Sequence, residues 1–89
     1  MPITSKSVTI ATTATAIHTA ASNGCRVHVF SASGGQDVTL GPATVVAGTG
    51  YQLLASSKTE VDIDVPPGET LYGITSTSTK ALGILVVEY

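Results

Sequence analysis

Lys80-Ala81-Leu82-Gly83-Ile84-Leu85-Val86-Val87-Glu88-Tyr89 is the stretch on which the reading of this chain turns. Strand alternation puts Leu82, Ile84 and Val86 on one side and Leu85, Val87 and Tyr89 on the other. A small two-layer sheet needs one apolar side, so this ribbon has one more than the fold requires. Residues 70–76 precede it, and Thr77-Ser78-Thr79 reads as the turn of a hairpin. With Ser76 opposite Lys80, Ile74 faces Leu82, Gly73 faces Gly83, Tyr72 faces Ile84 and Leu71 faces Leu85. The core side then carries Tyr72, Ile74, Leu82, Ile84 and Val86. The other side carries Leu71, Leu85, Val87 and Tyr89, with Gly73 and Gly83 abreast. Bare backbone within a contiguous apolar strip marks close approach by another surface. We therefore expect Leu71, Gly73, Gly83, Leu85, Val87 and Tyr89 to form an oligomer or partner interface. The alternative is that residues 41–50 fold over that side.

The same alternation runs through the rest of the chain, while helical periodicity is never sustained. Ser7-Val8-Thr9-Ile10 reads as a strand. Residues 15–20 read as a weaker one, with a loop as the alternative. Ser22-Asn23-Gly24 is a turn. Cys25-Arg26-Val27-His28-Val29-Phe30 alternates, with Cys25, Val27 and Val29 inward. Ser33-Gly34-Gly35-Gln36 is read as closing a hairpin into Asp37-Val38-Thr39-Leu40. A loop over residues 41–50 leads to Tyr51-Gln52-Leu53-Leu54. Thr59-Glu60-Val61-Asp62-Ile63-Asp64-Val65 is the clearest strand, with Val61, Ile63 and Val65 inward. Pro66-Pro67-Gly68-Glu69 has the signature of a type II turn. About seven short strands at these spacings imply an all-β fold, a small antiparallel β-sandwich or partly open barrel. Residues 1–89 form one domain, with residues 1–20 as an extended arm or edge strand.

Composition narrows the function. A chain of 89 residues has a small core, and domains of this size often gain stability from disulfides, metal or association. Cys25 is the only cysteine, and no Cys/His spacing suggests zinc, so association is expected. Charged residues are 11% of the chain, against roughly 25% in ordinary domains. Serine and threonine supply 23 residues, so solubility rests on hydroxyls. The net charge of −2 and the scattered Lys6, Arg26, Lys58 and Lys80 offer little to a phosphate backbone, so no nucleic-acid partner is expected. No run approaches the ~20 apolar residues of a membrane span. The opening residues lack a signal-peptide core, and synthesis in a cytoplasm is expected.

The residues that could do chemistry are few. Cys25 and His28 are three apart on a strand and so point to opposite faces. Cys25 reads as a buried small apolar residue. His18 and His28 show no metal-binding spacing, and no metal or cofactor is expected. Glu60, Asp62 and Asp64 share one face about 7 Å apart, too widely spaced for one cation. They read as a solvated or edge-guarding face, and as a docking face for a basic partner in the functional alternative. Gly48-Thr49-Gly50 lacks the lysine of a phosphate loop. No catalytic residue is assigned, and the chain is not expected to be an enzyme.

Three stretches occur together: residues 3–17 (ITSKSVTIATTATAI), 38–53 (VTLGPATVVAGTGYQL) and 65–89 (VPPGETLYGITSTSTKALGILVVEY). Their order resembles that of small virion-associated β proteins of tailed bacteriophages. The matching elements are Val38-Thr39-Leu40-Gly41, Gly50-Tyr51-Gln52-Leu53 and Gly68-Glu69-Thr70-Leu71-Tyr72-Gly73-Ile74. The resemblance implies a capsid decoration or cement protein on the virion exterior. Its partner would be the major capsid protein, and its assembly a homo-oligomer, often a trimer. The rival expectation is a carbohydrate- or host-surface-binding module of a fibre or tail, using exposed aromatics such as Tyr51 or Tyr89. A small hydrolase is the remote third, and it requires His18 or His28 beside a carboxylate in a pocket.

Overall fold

A computed structural model describes residues 3–31, 37–48, 51–54 and 60–89. The residues Ser33 to Gln36, Thr49, Gly50, Lys58 and Thr59, named above, lie outside the described set. Eight strands are present: β1 (Ile3–Ile10), β2 (Thr15–Thr19), β3 (Cys25–Ser31), β4 (Val38–Gly41), β5 (Tyr51–Leu53), β6 (Glu60–Val65), β7 (Thr70–Thr75) and β8 (Lys80–Glu88). The fold is all-β, as the alternation required. The strands form two four-stranded antiparallel sheets, β1-β8-β3-β6 (sheet 1) and β2-β7-β4-β5 (sheet 2).

The pairings have a simple logic. β1 pairs with β8, β2 with β7, β3 with β6 and β4 with β5. These four pairs are successive segments of one long antiparallel ribbon, folded at the β4–β5 link. Rolling the ribbon brings β3 beside β8 and β4 beside β7. That is the topology of an eight-stranded jelly roll. Apart from β4–β5, every connection passes from one sheet to the other.

Two expected hairpins are therefore corrected. β3 and β4 lie in different sheets and so do not pair as a hairpin. β7 and β8 are likewise split, and Ser76 does not pair with Lys80 in a ladder. Residues 76–79 form an arch instead. Ser78 takes a positive φ of 58°, the Thr75 hydroxyl donates to the Ser78 carbonyl at 2.7 Å, and the Thr75 amide donates to the Ala11 carbonyl at 3.0 Å. Across an arch each strand sets its inward side independently. β7 turns Leu71, Gly73 and Thr75 inward, while β8 turns Leu82, Ile84 and Val86 inward. Each layer thus contributes an alternating row to the same core, which a hairpin in one sheet would not allow.

Leu71 and Gly73 consequently leave the expected interface strip. Leu71 is 7% exposed and belongs to the core with Ile10, Ile17, Val27, Val38 and Leu82. Gly73 is bare because its neighbours fill the space above it. A Cβ there would sit 3.2 Å from Cδ1 of both Ile10 and Ile17. Tyr72 and Ile74, expected in the core, point to the outer side of sheet 2 and are half-buried. Residues 42–48 run over that side: the Gly48 amide donates to Thr39 Oγ1 at 3.0 Å, and Val45 lies against Gly41. The alternative covering loop therefore exists, but over sheet 2 and not over Leu85 and Val87.

Two turns follow their sequence signatures. The Gly24 amide donates to the Ala21 carbonyl, and the Glu69 amide to the Pro66 carbonyl, both at 3.1 Å. Gly24 and Gly68 have φ of 80° and 76°, a region that costs glycine little.

The two glycines once read as equivalent should now differ. Gly73→Ala is expected to lower unfolding free energy by about 1–3 kcal/mol through overpacking. Gly83→Ala, whose Cβ would meet nothing closer than 3.8 Å, should stay within about 0.5 kcal/mol of the parent. Urea titration of both variants measures the difference.

Candidate functional site

The outer side of sheet 1 is a grid set by register. Across β1, β8, β3 and β6, one row is Ser7, Gly83, Phe30 and Glu60. The next is Ser5, Leu85, His28 and Asp62, and the third is Ile3, Val87, Arg26 and Asp64. The two halves of the grid differ in charge. On β1 and β8 every outward residue is uncharged, whereas β3 and β6 carry Arg26, His28, Glu60, Asp62 and Asp64.

Large apolar groups stand open on this side. Ile3 is 68% exposed, Phe30 46%, Leu85 42% and Tyr89 45%. Phe30 lies beside Gly83, its ring 4.0 Å from where a Cβ would be, so the aromatic group occupies the dent left by the glycine. Of the strip expected from sequence, Gly83, Leu85, Val87 and Tyr89 share this side. Leu71 and Gly73 do not, because they belong to the other sheet.

The charged half compensates itself. His28 is hydrogen-bonded to Asp62 across the β3–β6 ladder. Arg26 Nε donates to Asp64 Oδ1 at 3.2 Å, and the Tyr89 hydroxyl donates to the same oxygen at 3.1 Å. The hydrogen bond from Arg26 and then that from Tyr89 hold the Asp64 carboxyl below the usual carboxylate range. Partial desolvation and the bond to Asp64 raise the Tyr89 phenol. Two of the three carboxylates expected as a docking face, Asp62 and Asp64, are thus engaged with His28 and Arg26 of the neighbouring strand.

A second cluster lies between the sheets, and sequence reasoning missed it. Lys6, opposite Ile84, and Glu88, opposite Cys25, occupy inward positions at the end of the sandwich. His18 comes from β2, where the register shifts between Ala16 and His18. Lys6 Nζ lies 3.1 Å from His18 Nδ1, and His18 Nε2 lies 2.6 Å from Glu88 Oε2. An ammonium has only donors, so Nδ1 accepts and the Nε2 proton points at the carboxylate. This chain of Lys6, His18 and Glu88 joins β1, β2 and β8, and so clasps one sheet to the other.

Cys25 is the nearest potential nucleophile to this clasp. Its sulfur, the histidine nitrogen and the Glu88 carboxylate fall within 4.8 Å of one another. Burial first, then the charges of Glu88 and Asp64, push the thiol up, which keeps it protonated and poorly nucleophilic. A tetrahedral cation would draw the three donors to roughly 3.5 Å apart. It would also have to displace the Nε2 proton, ionise this thiol and sit close to the Lys6 ammonium. The donor set fits a structural clasp better than a metal centre. Cys25 and His28 lie on opposite faces, as the strand spacing required.

Both histidines stand beside carboxylates, but neither lines the cavity of about 180 Å³ between β6 and β7, whose walls include Ile63, Val65, Pro66 and Leu71. That volume is below the ~300 Å³ of a typical small-molecule site. The signals that could have revealed the clasp are Lys6 and Glu88, which fall in the inward alternation of Val8 and Ile10 on β1 and of Leu82, Ile84 and Val86 on β8. No family model, curated protein or solved structure matches this chain.

Glu88→Ala should lower unfolding free energy by about 1–3 kcal/mol, while Glu69→Ala at the exposed 66–69 turn should change it by less than about 0.5 kcal/mol. Chemical denaturation of the two variants is the measurement. Because the Asp64 pKa is lowered on folding, its contribution is complete above the unfolded value of 3.8 and fades as pH falls through the folded one. Melting curves over roughly pH 5 to 2 should therefore fall less steeply for Asp64→Asn than for the parent.

Proposed function

We propose that this chain is a virion structural protein that decorates the exterior of a bacteriophage capsid and stabilises the assembled lattice. The observation that carries the reading is the open, uncharged half of sheet 1, with Ile3 and Leu85 exposed and Phe30 alongside. An exposed apolar face of this kind favours docking on another protein surface. The pairing of Arg26 with Asp64 and the hydrogen bond between His28 and Asp62 lower the cost of bringing that face against a partner, since these polar groups keep partners when desolvated. The order of motifs resembling virion-associated β proteins supports the same reading. The topology alone does not choose, because jelly rolls serve both capsid proteins and lectins.

The mechanism is linkage. A subunit that bridges neighbouring major capsid proteins binds the assembled lattice better than its parts, so mass action favours the lattice. Many copies reinforce one another where they also touch. No bond is made or broken, and no cofactor enters.

A carbohydrate-binding role on a fibre or tail is the second reading, favoured by the exposure of Phe30 and Tyr89 on one side of the sheet. Aromatic faces of this kind stack on sugar rings. It differs in requiring a soluble oligosaccharide ligand.

The test is sedimentation of purified protein with capsids that lack it. Saturable co-sedimentation is expected. Leu85→Lys should reduce the bound fraction at least tenfold while leaving the melting temperature within a few degrees. Absence of co-sedimentation, together with saturable oligosaccharide binding, would transfer the role to sugars.

A further inference from the structure

The two sheets have four edges, β1 and β6 in sheet 1 and β2 and β5 in sheet 2. Three of them carry features that discourage strand addition. β5 is three residues long. β2 is five residues long and broken by its register shift. β6 projects Glu60, Asp62 and Asp64 along its outward side. β1 differs from all three. It runs eight residues in unbroken register with β8, its one described ladder partner, and its outward positions are Ile3, Ser5, Ser7 and Thr9. Its one charge, Lys6, points inward, a placement that can guard an edge, but its ammonium is already engaged by His18 Nδ1 at 3.1 Å within the same subunit.

We propose that the edge of β1 pairs antiparallel with β1 of a second copy of this chain, about a two-fold axis at Ser7. The joined sheet would run β6-β3-β8-β1 and then the same strands in reverse. Charge argues for a second copy as the occupant. The four central strands carry uncharged outward rows, while the carboxylates of the two β6 strands sit at opposite ends. Seven strand spacings put them roughly 30 Å apart, beyond a Debye length at physiological salt. A chain of net charge −2 thereby meets itself at the edge of sheet 1 opposite its β6 carboxylates.

Register follows from side-chain chemistry. An axis at Lys6 would set two ammonium groups opposite each other, and an axis at Val8 would shorten the overlap. With the axis at Ser7, Ser7 faces its equivalent, Ser5 faces Thr9, Thr4 faces Ile10 and Lys6 faces Val8. The outward row becomes a ladder of hydroxyls, a favourable cross-strand pairing. This isologous dimer differs from the trimer implied by the resemblance. It stands apart from capsid binding, because its readout needs no capsid.

Sedimentation equilibrium of the full chain tests it. The wild type is expected at twice the chain mass. Ser7→Lys and Ser7→Asp should each sediment as monomers with unchanged far-ultraviolet circular dichroism, because like charges then meet across the axis. An equimolar mixture of the two variants should return to twice the chain mass. Leu85→Lys, on the sheet face and not its edge, should leave the mass unchanged, which separates this inference from the docking role of that face. A wild type that is monomeric at millimolar concentration overturns the proposal. So do Ser7 variants that remain dimeric, or a mixture that stays monomeric.

Discussion

Strand β8 is the constraint on which the rest of this structure depends. It pairs on both sides, with β1 along Ile3–Ile10 and with β3 along Cys25–Ser31. The first pairing belongs to the folded ribbon, and the second closes the roll. Its inward residues Leu82, Ile84 and Val86 are at most 2% exposed and face β7 across the core. Loss of β8 would leave both β1 and β3 without the ladder that joins them. Its inward row and that of β3 (Cys25, Val27 and Val29) are the two central rows that sheet 1 gives to the core.

The outward side of the same strand sets the character of the surface. Gly83, Leu85 and Val87 lie between the hydroxyls of β1 and the ion pairs of β3 and β6. This produces a gradient across one sheet, uncharged at one edge and rich in carboxylates, two of them partnered, at the other. Such a surface is soluble through serine and threonine and yet inexpensive to desolvate over its neutral half. The proposed docking on a lattice and the proposed edge-to-edge pairing would both draw on these properties.

The clasp of Lys6, His18 and Glu88 shows how a polar group can enter a small core. A lone inward carboxylate at the end of β8 would be costly to bury. The His18 Nε2 proton and the Ala21 amide donate to it, the Lys6 ammonium donates in turn to His18 Nδ1, and the three side chains come from strands of both layers. The sandwich is held at this end by directional contacts, where the apolar rows of β1 and β8 have given way to Lys6 and Glu88. The protonated Cys25 thiol beside them is packing material, and its chemistry is suppressed by the same burial.

Alternation in the sequence determined the all-β class, the inward rows of β3, β6 and β8, the outward carboxylates, and the glycine turns at residues 22–24 and 66–69. These properties are local: period two assigns sides, and a positive φ selects glycine. What alternation cannot encode is which strand lies next to which. β3 with β4 and β7 with β8 read as hairpins, yet each pair is divided between the layers, because every one of these strands needs one side on a common core. That choice moved Leu71 and Gly73 inward and Tyr72 and Ile74 outward. It brought together Lys6, His18, Cys25 and Glu88, residues up to 82 positions apart, and it left β1 as the long, unguarded edge. Only tertiary structure decides such neighbours, since they arise from the rolling of the whole ribbon and from no segment of it.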